Sequence, residues 1–159
     1  LEASVRLAIS DNAIKSMAIE TAKSAGSKDL QRYKMLKENI KKLELVEYNM
    51  KGALASQYGF LTALSQSVDI NLSQDRIVSM LSGSEEELRE EVSAWLMGYS
   101  YMAYQPLSDD DLQLYLDFLT STSGKALNAA LFGVFNALSV KTASALGGFI
   151  ASSRQARDL

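Results

Sequence analysis

The chain of 159 residues contains no histidine and no cysteine. These absences exclude disulfides, zinc sites of the usual kind, cysteine nucleophiles, Ser-His-Asp triads and haem held by His or Cys. One proline and nine glycines are too few for an all-β fold, which needs a turn about every dozen residues. We therefore expect no cofactor and no metal site.

The balance of charge also argues against a nucleic-acid partner. The net charge is −3 and the isoelectric point is near 5.0, whereas nucleic-acid-binding domains are typically basic. The composition, 47% hydrophobic and 22% charged, is that of a globular protein. The chain is long enough for one sizeable core, and it has no linker that would divide it. We predict a single helical domain spanning residues 1–159 that does not bind nucleic acid.

Apolar residues recur every three or four positions along most of the chain, the spacing that gathers them on one side of an α-helix. The clearest stripe lies in a predicted helix over about residues 28–67. Gly52 and Gly59 fall inside it, and its continuity across them stays open. With Ser56 they form a shallow surface on which we expect another helix to pack closely. The pattern predicts an all-α bundle of about five to seven helices with mostly antiparallel neighbours.

Serine followed by acidic residues marks several helix starts. Ser73 is predicted to cap a helix over 74–82, Ser84 opens a capping box with Glu87, and Ser108 precedes three aspartates. The acidic triplets at 85–87 and 109–111 suit the positive end of a helix dipole. Consecutive helical residues point about 100° apart, so neither triplet is expected to hold a metal ion. A further helix is predicted over 3–24 and a polar tail over 154–159.

The last long helix is the most apolar part of the chain. Its uncharged run from Ala126 ends at Val140 because Lys141 follows. A membrane span needs about 20 apolar residues, and a mid-span lysine costs on the order of 3 kcal/mol. We therefore predict a buried bundle helix and no transmembrane span. Its inward residues are predicted to be Leu127, Leu131, Val134, Phe135, Leu138, Ala145, Leu146 and Phe149.

Two local patterns single out candidate binding residues. An asparagine beside an apolar stripe and small residues must be exposed or hydrogen-bonded, and it could hold a ligand head group or bond a neighbouring backbone. Trp95 and Tyr99, on the inward stripe of their helix, could line a pocket or pack in the core; Tyr101 is off that stripe. The candidate binding residues are Tyr48, Asn49, Gly52, Ser56, Trp95 and Tyr99. No catalytic residue is predicted.

One stretch carries a resemblance to a known family. Residues 106–112 read Pro-Leu-Ser-Asp-Asp-Asp-Leu, and residues 118–127 read Phe-Leu-Thr-Ser-Thr-Ser-Gly-Lys-Ala-Leu. Over about residues 104–150 the chain resembles the bacterial domain of unknown function 2059, and Tyr48-Asn49-Met50 to Phe60 is similar to its alphaproteobacterial members. Members often have a proline before the glycine, and this chain has none there. The resemblance implies an all-helical domain, exported to the periplasm by a signal peptide that would precede Leu1, with no known reaction.

Three functions are compatible with these observations. The leading expectation is a non-enzymatic binding or protein-interaction module in the bacterial periplasm, with an unknown protein partner or an apolar small ligand. A second is a hydrolase or lyase that uses only carboxylate and Tyr acid/base groups, which requires two inward-facing carboxylates about 5–10 Å apart. A third is peripheral association with a membrane through the last helix. The oligomeric state stays open.

Overall fold

A computed structural model describes residues 16–17, 20, 23–24, 29–66 and 72–155. These residues form helices and short connections, with no strand in the described ranges, which confirms the all-α bundle prediction. Most of the predicted helix over 3–24, the break near 67–71 and the tail beyond 155 lie outside the described residues. The described ranges contain six long helices: α1 (Leu30–Lys42), α2 (Leu45–Leu64), α3 (Gln74–Gly83), α4 (Glu85–Tyr104), α5 (Asp109–Thr120) and α6 (Thr122–Gln155).

Serine caps confirm two of the predicted helix starts. The Ser73 hydroxyl accepts a hydrogen bond from the Arg76 amide at 3.3 Å, and the Ser108 hydroxyl accepts one from the Asp111 amide at 3.1 Å. Ser84 behaves differently from the predicted capping box. Its hydroxyl donates to the carbonyl oxygens of the last turn of α3, at 3.2 Å and 3.4 Å. Ser84 therefore closes α3 while α4 begins at the next residue.

The predicted helix over 28–67 is two helices, and the break does not fall at a glycine. α1 ends at Lys42, and Glu44 adopts a φ of 53°, the left-handed region that stops a helix. α2 then continues through both Gly52 and Gly59. The sequence gives no signal for this break, because Glu44 is an ordinary helix former in the middle of a continuous apolar pattern.

The described chain divides into two compact units, and the prediction of a single domain stays a prediction. The first unit comprises Leu1–Val46 and Glu90–Ala126. Its core combines α1, α4 and α5, and α1 runs parallel to α5, because Arg32 meets Asp109 at one end while Lys42 lies near Thr120 at the other. The buried core residues are Leu36, Ile40, Leu96, Met97, Leu112 and Leu116.

The second unit comprises Glu47–Arg89 and Leu127–Leu159. Within it α2 and α6 run parallel, because their contacts advance together along both helices. The Tyr48 and Phe132 rings stack at one end, while Gly147 reaches the Phe60 backbone near the other. The residues of α6 turned toward α2 include the polar Asn136 and Ser144 as well as Phe132 and Val140.

The prediction for the inward face of α6 is wrong. The eight residues predicted to point inward are exposed instead, and Phe149 is 70% exposed. The physical reason is the close approach of α2 at Gly52, Gly59 and Gly147, which turns the face of α6 with Asn136, Ser144 and Gly147 toward α2. The exposed residues that were expected inside are Leu127, Leu131, Val134, Phe135, Leu138, Ala145, Leu146 and Phe149.

α6 is also the one helix in the described ranges that is long and apolar enough to cross a membrane. Its segment Thr122–Ser153 contains an 18-residue window with a mean hydropathy of 1.4, none of it buried. This finding rests on length and composition alone. The absence of a transmembrane span, argued from Lys141, stays a prediction.

Candidate functional site

The six candidate residues fall into two groups. Tyr48, Asn49, Gly52 and Ser56 lie on α2 in the second unit, while Trp95 and Tyr99 lie on α4 in the first. The α2 group shares one helix and borders α6. The two groups therefore belong to different compact units.

Tyr48 anchors one end of the contact between α2 and α6. Its ring stacks on Phe132 with centroids 5.0 Å apart and planes 19° apart. Its carbonyl oxygen accepts a hydrogen bond from Asn136 Nδ2 at 3.4 Å. Asn49, next along α2, is half-buried and already has an interaction partner. Both residues are thus engaged within the protein, and a ligand head group would have to displace existing contacts.

Glycines set the distance between α2 and α6. A Cβ at Gly52 would lie 2.8 Å from Asn136 Cγ, and one at Gly59 would lie 2.6 Å from Ser144 Oγ. From the other side, a Cβ at Gly147 would lie 3.2 Å from the Ala63 Cβ and closer still to a backbone carbonyl. The prediction that another helix packs closely on this small-residue surface is confirmed. The structure adds Gly147 and the polar Asn136, which the sequence reasoning did not connect to Gly52.

A hollow opens beside Ser56, on the same pair of helices. It has a volume of about 380 Å³ and is lined by Ser56, Gln57, Phe60, Leu61, Ala143 and Leu146. Four of these six side chains are apolar. The Ser56 hydroxyl is buried without a hydrogen-bond partner, which is uncommon for a buried polar atom. We call this feature the Ser56 hollow. Ser56 is thus a candidate residue that borders this hollow.

The aromatic candidates on α4 have a different role. The Trp95 and Tyr99 rings stack with centroids 5.3 Å apart. Trp95 packs against the core of the first unit, as predicted, but Tyr99 is 47% exposed. Tyr101, predicted to lie off the inward stripe, packs against that core instead. The stripe is therefore rotated from its predicted position, and Tyr99 lies at the edge of the packed region.

The acidic triplets do not form a metal site in the part of the chain that the structure describes. No group of three or more potential ligands gathers there. Asp109 instead forms an ion pair with Arg32, Nη1 to Oδ1 at 2.6 Å. Arg32 is 7% exposed, and it also donates to the carbonyl oxygens of Tyr104 and Leu107. The sequence reasoning missed Arg32, because its partners lie more than 70 residues away.

Acid/base chemistry would need inward carboxylates. Every described Asp and Glu is exposed except Asp29, which is half-buried and caps α1 by accepting from the Arg32 amide. A hydrogen bond from Lys42 to Glu38, at 2.9 Å, lowers the pKa of that exposed carboxyl. The described residues therefore hold no facing pair of buried carboxylates of the kind that the hydrolase or lyase alternative requires.

Tyr104 is a tyrosine whose pKa is clearly shifted from its ordinary value. Burial, and secondarily the neighbouring Tyr115, raise the pKa of Tyr104 to about 12 from an ordinary value of 10.0. The Tyr115 ring lies 5.5 Å away, centroid to centroid. At neutral pH the Tyr104 phenol is therefore protonated and is a poor general base.

We expect Tyr104 to make stability fall between pH 10 and about 12. In that window the unfolded phenol loses its proton while the folded one keeps it, so rising pH favours unfolding. Urea denaturation across this window should show a shallower fall for Tyr104→Phe than for the wild type. Equal slopes in the two proteins would contradict this assignment.

Comparisons with known proteins do not extend this description. No protein-family model matches the chain, no curated protein matches it, and no solved structure matches it. The resemblance to the domain of unknown function 2059 therefore remains a prediction from the residues at 104–150.

Proposed function

We propose that this protein is a non-enzymatic binding module of the bacterial periplasm that takes a small apolar ligand into the Ser56 hollow. The hollow is the observation that supports binding. It is a shallow hollow, largely open to solvent, and its volume of about 380 Å³ lies near the lower end of the range for small-molecule sites. It is too small for a protein segment the size of a helix, which is about 10 Å across.

The lining of the hollow defines the chemistry of the ligand. Phe60, Leu61 and Leu146 offer apolar contact, and Gln57 is an exposed amide at its edge. No charged side chain lines it. A ligand that is uncharged and mostly apolar, with one hydrogen-bonding group, fits this surface, because a charged group would lose hydration without gaining a partner. The periplasmic location is supported by the family resemblance.

Filling the hollow should abolish binding. We expect Ala143→Phe to place a ring in the hollow and to weaken binding of the uncharged fluorescent probe N-phenyl-1-naphthylamine at least tenfold, measured by fluorescence titration. Ala137→Phe is the matched control, because Ala137 is exposed on the same helix and does not line the hollow. If the wild type does not bind the probe, or if both variants lose binding equally, the proposal fails. Native mass spectrometry of protein purified gently from its host would identify the bound mass.

Peripheral membrane association is a second candidate, favoured by the length and apolarity of α6. It is weakened by Lys141, which is exposed among the apolar residues. The helix also lacks the Lys/Arg-rich polar face that is usual for helices lying on a membrane.

A further inference from the structure

The outward face of α6 carries a row of exposed apolar side chains in the second unit, and this row lies outside the Ser56 hollow. Its side chains are 47–70% exposed. Viewed down the helix axis, these exposed apolar side chains and Lys141 fall within an arc of about 120°, because the helix has 3.6 residues per turn. We call this surface the outer stripe. Its apolar members are Leu127, Leu131, Val134, Phe135, Leu138 and Phe149.

We propose that the outer stripe is the interface of a homodimer, in which α6 packs antiparallel on α6 of a second copy of this chain. The area supports this assignment. The exposed fractions of the six apolar residues are 47–70%, so at roughly 200 Å² for a fully exposed residue of this size, near the value for aromatic side chains, they present about 700 Å² together. A standard specific interface buries about 800 Å² per partner. One copy therefore carries nearly enough apolar surface for a stable dimer.

The order of residues along the stripe is self-complementary about its middle. A two-fold axis at Leu138, midway between Leu127 and Phe149, places those two end residues opposite each other. It places the large Leu131 opposite the small Ala145. A two-fold interface requires this kind of match, because each residue meets its counterpart in both directions.

Lys141 favours a protein over a lipid as the occupant. With the axis at Leu138, Lys141 lies at the same height as Phe135 of the second copy, but at the opposite edge of the outer stripe. At this edge the lysine stem packs against the stripe while its ammonium reaches solvent. In a bilayer the same lysine would lie near the middle of the apolar segment, at a cost on the order of 3 kcal/mol.

Sedimentation velocity of the full chain tests the dimer. We expect the wild type to reach twice the 17.4 kDa chain mass at micromolar concentrations. Leu138→Glu should be monomeric, because it sets two carboxylates against each other on the axis. Ser139→Glu, one residue away and off the stripe, adds the same charge and should leave the dimer intact. Circular dichroism of both variants checks that the helices form.

Cross-linking gives a second measurement that does not depend on a disruptive variant. The chain has no cysteine, so Leu138→Cys introduces a single thiol on the axis, and mild oxidation should join two copies. Ser139→Cys should cross-link much more slowly. A wild type that stays monomeric and shows no preferential cross-link would overturn the proposal. So would a monomer that floats with anionic phosphatidylglycerol vesicles and loses flotation in Leu138→Glu, since lipid would then be the occupant.

The dimer proposal and the ligand proposal for the Ser56 hollow can be tested independently. Ala143 does not belong to the outer stripe, so Ala143→Phe should abolish probe binding and leave the sedimentation unchanged. Leu138→Glu should dissociate the dimer and leave probe binding unchanged. If Ala143→Phe also dissociates the dimer, the outer stripe as defined does not form the interface.

Discussion

Replacing Gly124 by alanine should lower the melting temperature by about 2–12 °C. The added Cβ would lie 2.6 Å from the carbonyl oxygen of Leu119 and closer still to that of Phe118. Both are backbone atoms at the end of α5, so relief requires the turn between α5 and α6 to open. Overpacking of this kind typically costs about 1–3 kcal/mol, and each kcal/mol shifts the melting temperature of a chain this size by about 2–4 °C.

The turn at Gly124 explains why the space is so small. The Ser121 hydroxyl accepts from the Gly124 amide at 3.1 Å and donates to the Phe118 carbonyl at 2.6 Å, which joins the two helices through one residue. Gly133→Ala is the matched control. Nothing lies within 4 Å of a Cβ there, so alanine should stabilise α6 by up to about 1 kcal/mol through its higher helix propensity. Equal melting temperatures for the two variants would show that the close approach does not exist.

Arg32→Met should be the second strongly destabilising change, by about 2–4 kcal/mol in urea denaturation. The guanidinium is buried and joins three acceptors: the Asp109 carboxylate and the carbonyl oxygens of Tyr104 and Leu107. Methionine fills much of the volume but leaves all three without this donor. The end of α4 and the start of α5 would then lose their link to α1.

Two further variants separate the geometry of Arg32 from its charge. Arg32→Lys keeps the charge but cannot reach three acceptors at once, so its loss should be intermediate. Lys34→Ala removes an exposed cation from the same helix and should change stability by less than about 0.5 kcal/mol. If Arg32→Met is as mild as Lys34→Ala, the buried network contributes little.

The helices themselves were largely predictable from local signals. Ser73 and Ser108 cap the helices that were predicted to follow them. These starts were predictable because a cap joins atoms only three residues apart. The break at Glu44 was not predictable, since a left-handed glutamate has no compositional signature. The turn at Gly124 was marked by its serines and glycine, but the contact that makes glycine necessary there lies in the preceding helix.

Within the candidate site, the small-residue surface on α2 was predictable from the sequence, but the residues of α6 that pack on it were not. Gly52 and Ser56 were singled out because small residues in an apolar stripe permit close helix packing. Asn136, Ala143 and Gly147, which complete that surface and the hollow, are more than 80 residues away on α6. Their inclusion depends on which face of α6 meets α2.

The sequence by itself determined the all-helical fold and the starts of α3 and α5, because periodicity and capping act within one or two turns. Only the tertiary structure decided the orientation of α6. Its large apolar residues and its small residues both recur at helical spacing, and the pattern alone favours burying the large ones. The close parallel approach of α2 at Gly52, Gly59 and Gly147 reverses that choice, because the positions of α6 that meet α2 there include Asn136, Ser144 and a glycine.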